Sequence, residues 1–122
     1  MIPGITLTDG LTAFAPGDYL TGSISWSSSE RPAWLELRLF WYTEGKGTQD
    51  IGVAIRERFT DPGHHGEKTF NLKAPSHPLS CSGRLVSIRW ALELVSSDDQ
   101  PVVKVDVVIA PGARETVLGH VE

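Results

Sequence analysis

The chain has 122 residues, 40% of them hydrophobic and 21% charged, which is enough for one domain with its own core and too apolar for a disordered segment. Its net charge of −4, with no run of Lys or Arg, argues against nucleic acids and anionic membranes as partners, since both reward clustered basic residues. A single cysteine, Cys81, excludes an intrachain disulfide framework and suits a reducing compartment, so a cytoplasmic location is expected.

The first ten residues, "MIPGITLTDG", lack a basic start and an apolar core, so no signal peptide is read there, and "GITLT" is a short strand candidate. "YLTGSISW" places Leu20, Ile24 and Trp26 on one face and Thr21, Ser23 and Ser25 on the other. "WLELRLFW" sends Leu35, Leu37, Leu39 and Trp41 inward, with Glu36 and Arg38 outward. "IGVAIRERF" repeats the pattern with Ile51, Val53, Ile55 and Phe59 as its apolar face, broken at Glu57. "EKTFNLK", around Phe70 and Leu72, is a second short candidate. "LVSIRWALEL" alternates Val86, Ile88, Trp90, Leu92 and Leu94 against Ser87, Arg89 and Glu93. "VVKVDVVI" sets Val103, Val105, Val107 and Ile109 against Lys104 and Asp106.

Between these runs lie "APGD", "SSSERP", "TEGKGTQD", "DPGHHG", "APSHPLSCSG" and "SSDDQP", rich in residues that favour turn dihedrals or lack strand donors. Strands with one buried and one wet face belong to antiparallel sheets. About seven of them at this spacing predict an all-β sandwich of two antiparallel sheets over residues 1–110. The tail, residues 111–122, loses the alternation after Pro111 and reads as a frayed end or a final edge strand. No run approaches the roughly 20 apolar residues that cross a bilayer, so no membrane insertion is expected.

The stretch "PSHPLSCSGRLVSIRWAL" connects the strand at Phe70 to the long strand after Gly83. Pro75 and Pro78 cannot donate ladder hydrogen bonds, and Ser76, Ser80 and Ser82 are suited to satisfy backbone groups there. "FNLKAPSHPLSCSGRLVSIRWALEL" resembles the arrestin-like domain family, in which a strand ending in proline leads to a Pro-x-Ser-aromatic-x-Gly loop and then a long strand. "APGDYLTGSISW" is similar to that family's early Gly-x-x-Leu-x-Gly strand, and the order of segments fits from about Ile5 to Ile109. Two departures stand out. Cys81 occupies the place of the loop's usual aromatic, and the chain has room for one sandwich where arrestins and their cargo-sorting relatives have two in tandem. The resemblance implies an immunoglobulin-like sandwich of about seven strands, and a scaffold or adaptor without catalysis.

The polar loops offer little chemistry of their own. His64 and His65 are neighbours on an extended chain and point apart, so a zinc site would need one of them to converge with His77 and Cys81 without spacing support. Cys81 as a nucleophile lacks an indicated third group to orient His77, and the serines of "SISWSSSE" contain no nucleophile elbow. "TEGKGTQD" has no Walker spacing and reads as a hairpin with Gly45 and Gly47 at positive φ. Asp98 and Asp99 sit in a turn. No catalytic residue, cofactor or metal is therefore assigned.

One surface stands out. If Leu35, Leu37, Leu39 and Trp41 face inward, Trp34, Phe40 and Tyr42 face outward on the same strand. The resembled fold sets this strand in one sheet with those around Arg89 and Lys104. The expected partner surface is Trp34, Phe40, Tyr42, Arg38 and Arg89, on the ground that aromatic patches with a charged rim mark contacts. The expected partner is another protein or a second copy of the chain, bound on this face or by strand addition at an open edge. The second reading is a carbohydrate-binding sandwich that uses the three rings as a platform.

Overall fold

The computed structural model describes residues 1–45, 47, 49–83, 85–97, 101–113 and 116–117, and the alternating segments are strands in it. In chain order these are β1 (Ile2–Leu7), β2 (Ala13–Phe14), β3 (Tyr19–Ser27), β4 (Trp34–Gly45), β5 (Ile51–Thr60), β6 (His65–Lys73), β7 (Cys81–Ser82), β8 (Val86–Ser96), β9 (Pro101–Ile109) and β10 (Thr116–Val117). The seven longer strands are the five alternating segments and the two short candidates, and β2, β7 and β10 are two-residue additions.

Two sheets result. The smaller is β1-β3-β6, antiparallel throughout. In the larger, β4 lies between β5 and β8, both antiparallel to it. The far side of β8 is shared, with β9 along Trp90–Val95 and β7 at Ile88. The two short pairings β2 with β9 and β7 with β10 are parallel, so only the long ladders follow the antiparallel expectation throughout. Past Ile109 the tail makes a 3-10 turn at Pro111–Ala113, and β10 then pairs with β7.

The inner faces bury each other as the period of two dictates. Leu20, Ile24, Trp26, Phe70 and Leu72 from the small sheet belong to one core with Leu35, Leu37, Leu39, Trp90, Leu92, Leu94, Val107 and Ile109. Close approach of β1 to β3 depends on Gly22, the second glycine of "APGDYLTG". A Cβ there would stand 2.1 Å from the carbonyl oxygen of Thr6, a backbone atom that cannot swing aside. Gly22→Ala is expected to cost about 2 kcal/mol by forced separation of the two strands. A thermal melt should show the midpoint about 8 °C lower.

The proline-serine stretch carries the chain from one sheet to the other, from the end of β6 to β7. At its start the Ala74 N–H donates to the Asp18 carbonyl at 2.7 Å, and the Ala74 carbonyl accepts from the Gly17 N–H at 2.9 Å. At its end Ser80 closes on Ile109: its N–H donates to the Ile109 carbonyl at 2.8 Å, and its Oγ accepts from the Ile109 N–H at 3.0 Å. Between them the Pro78 carbonyl accepts from the Trp90 indole N–H at 2.7 Å, tying the loop to the core.

β5 departs from the expected facing. Leu39 opposes Ile55 and Phe40 opposes Val53, which leaves Ala54 as an extra residue in a β-bulge. One extra residue reverses every side chain beyond it. Ile55 and Phe59 pack on the core as expected, whereas Ile51 and Val53 are turned to the outer face and are 69% and 36% exposed. Gly52 then faces inward at Trp41, where a Cβ would lie 2.3 Å from the indole nitrogen; only glycine leaves that ring its space. β4 itself keeps its alternation. Val86, also expected inward, is exposed where β8 begins opposite Gly45.

Candidate functional site

The outer face of the large sheet collects all five residues expected to form a partner surface. Trp34, Arg38, Phe40 and Tyr42 alternate along β4, and Arg89 opposes Tyr42 from β8. The ladders also bring in Glu36 and, from β5, Val53 opposite Phe40 and Ile51 opposite Tyr42. From the other side Glu93 opposes Arg38 on β4 and Lys104 on β9.

These side chains do not form an open aromatic platform. The guanidinium of Arg58 lies 3.9 Å from the centroid of the Trp34 ring, a cation–π contact that covers one ring face. Phe40 was expected to be exposed; it points outward but is only 6% exposed. It sits between Val53 and the small Ala91 in register, and the Tyr42 ring lies 5.8 Å away, tilted by 31°. Tyr42 carries the Lys104 ammonium 4.3 Å from its ring centroid. Lys104 donates to the Tyr42 hydroxyl at 3.1 Å, that hydroxyl donates to Asp106 at 3.4 Å, and Lys104 and Asp106 lie 3.7 Å apart. The bond from the Tyr42 hydroxyl outweighs burial and holds the Lys104 pKa above its usual value. Arg89 lies 3.9 Å from the Glu44 carboxylate.

At the other end of β4, Glu36 is buried although it faces outward, because the chains of neighbouring arginines close over it. The Arg38 Nε donates to one of its oxygens and Arg58 to the other, at 3.3 Å. Burial by itself would raise the Glu36 pKa; the hydrogen bonds and charges of Arg38 and Arg58 prevail and hold it below the ordinary glutamate value. The face is thus a lattice of charges locked over aromatic rings.

Its open apolar margin lies at β5. Ile51 and Val53 are exposed there, and Ile51 lines a shallow recess of about 450 Å³ with Tyr42, Thr43, Glu44, Gln49 and Asp50. The hairpin above it is held by the Thr43 N–H on the Asp50 carbonyl at 3.0 Å and by the Asp50 N–H on the Thr43 hydroxyl at 2.8 Å. Gly45 and Gly47 there have φ of 144° and 101°, as expected for a turn. Alternation alone assigned Ile51 and Val53 to the core. The signal that could have placed them outside is Gly52, since a glycine inside a strand marks a bulge or a close approach.

The other chemical candidates stay apart. Cys81 is buried in β7, and His77 is engaged by the Ser76 hydroxyl at 3.0 Å. His64 Nδ1 lies 3.3 Å from the Ser28 carbonyl. Among the described residues no three His, Cys, Asp or Glu side chains are grouped as metal ligands, and no helix is long and apolar enough to cross a membrane. Asp98 and Asp99 lie outside the described residues.

No protein-family model and no curated protein matches this chain. Among solved structures it is similar to the sporulation control protein Spo0M from Bacillus subtilis, at a TM-score of 0.61 and 14% identity over 88% of the chain. The likeness is one of fold. Spo0M has an arrestin-like fold, so the likeness agrees with the two-sheet sandwich expected from the sequence. This chain spans about half, 48%, of that protein's length.

Proposed function

We propose that the chain is a non-catalytic protein-binding or scaffolding module of arrestin-like type, working in the cytoplasm, that docks a partner protein on the β5 margin of the large sheet. One observation carries this reading: the bulge at Ala54 turns Ile51 and Val53 out of the core, opposite Tyr42 and Phe40, and Ile51 shares a recess with Tyr42 and the charged Glu44 and Asp50. An apolar centre with a polar rim is the usual anatomy of a contact surface. A buried, reduced Cys81 suits the cytoplasm.

The carbohydrate reading has less support. A stacking platform needs free ring faces, and here Trp34 is covered by Arg58, Tyr42 by Lys104, and Phe40 is buried.

The test is capture from lysate with the tagged chain and with an Ile51→Glu, Val53→Thr variant. Both positions are solvent-facing, so the variant is expected to melt within about 3 °C of the native chain. The expected result is a protein partner retained by the native chain and reduced at least about tenfold with the variant. Equal capture by both would overturn the assigned surface.

A further inference from the structure

β6 is one edge of the small sheet, with β1 at the other. Among the described residues β6 pairs only with β3, along Tyr19–Ser27. The direction of its free backbone groups follows from its two ends. His64 and Ala74 both direct backbone groups toward the β3 side, where the His64 carbonyl accepts from Ser28 at 2.7 Å and the Ala74 N–H donates to Asp18. Antiparallel ladders alternate, so the even-numbered residues of β6 bond to β3, and Glu67, Thr69, Asn71 and Lys73 present their N–H and C=O groups to the open side. These four are also exposed on the outer face of the small sheet.

We propose that β6 is a self-complementary edge, which pairs antiparallel with β6 of a second copy of this chain about a two-fold axis at Phe70. The axis opposes Phe70 to itself, Thr69 to Asn71 of the second copy, and Glu67 to Lys73 of the second copy. The last pairing occurs twice by symmetry, and each is an opposite-charge cross-strand pair on the same face. The Thr69–Asn71 and Glu67–Lys73 pairs are the hydrogen-bonded ones, so every free N–H and C=O of these four residues gains a partner. The two small sheets become one continuous six-stranded sheet. The pairing stops where Pro75, which has no N–H, follows the strand.

Charge selects both this register and this edge. Moving the axis to Lys68 opposes two lysines, and moving it to Glu67 opposes two glutamates. On β5, an edge of the large sheet, an axis at Glu57 sets Arg56 against Arg58 and Glu57 against itself, and the bulge at Ala54 breaks the ladder. A second copy therefore fits β6 and not β5. This pairing does not rest on the β5 docking surface.

The test is sedimentation equilibrium of the full chain over a wide range of concentration, at low and high salt. The native chain is expected to move from 13.3 kDa toward twice that mass with rising concentration, less so at high salt. Glu67→Lys and Lys73→Glu are each expected to weaken the association about tenfold, and the double reversal Glu67→Lys with Lys73→Glu to restore it. Both sites are exposed, and thermal melts of the three variants are expected to match the native chain. Thr69→Pro, which removes an outward N–H, should also weaken the association. A chain that stays monomeric throughout overturns the proposal. So does a dimer indifferent to the single reversals, or one that the double reversal fails to restore.

Discussion

Trp90→Ala is expected to destabilise the fold by about 4 kcal/mol and to lower the melting midpoint by about 15 °C. Trp90 is 1% exposed and its ring is a central member of the core between the sheets. Its indole N–H also holds the Pro78 carbonyl of the connection between β6 and β7. Removing the ring leaves a cavity that neighbouring leucines cannot fill and an unpaired carbonyl in the loop above it. Trp90→Phe separates the two contributions. It keeps most of the apolar bulk and loses the hydrogen bond, so a loss of about 1–2 kcal/mol is expected. Equal melts for Trp90→Phe and the native chain would show that the loop bond contributes nothing to stability.

Glu36→Gln is expected to cost about 2 kcal/mol at pH 7, the second large effect. Breaking a buried ion pair costs about 3–5 kcal/mol when both partners are enclosed; here the arginines reach solvent and recover part of it. The substitution keeps the shape of the side chain and leaves Arg38 and Arg58 facing a neutral amide. The pH dependence follows from the direction of the shift. The folded-state pKa of Glu36 is lowered, so its contribution is present above the unfolded-state value of about 4.3 and is lost as the pH falls through the folded-state value. The gap in melting midpoint between native and variant chains should therefore be widest near neutral pH and close in strong acid. A gap of the same size at pH 7 and pH 2 would assign the effect to packing and not to charge.

The same residue shows how far the sequence could be read. Its outward facing was legible from the run "WLELRLFW", because Leu35, Leu37 and Leu39 fix which side of a period-two strand is wet. Its burial was not legible, since Arg58 is 22 residues away in sequence and meets it only across the β4–β5 ladder. The same holds for the five expected surface residues. All share one face as alternation required, but the cations over Trp34 and Tyr42 come from β5 and β9. The burial of Phe40 is not legible either, because nothing local to β4 says that its neighbour across the ladder is as small as Ala91.

What the sequence by itself determined is the all-β class, the seven long strands and most of the core, because strand facing is a local property with a period of two. It also determined that the proline-serine stretch lies outside the ladders, because proline has no N–H to give. Only the tertiary structure decided which strands pair and in what register, and with that the bulge at Ala54 that turns Ile51 and Val53 outward. Among the described residues it also left β1, β5 and β6 as edge strands. Register depends on contacts between segments far apart in the chain, such as Gly52 beneath Trp41 and Thr6 against Gly22, where the room for a single Cβ decides the approach of two strands.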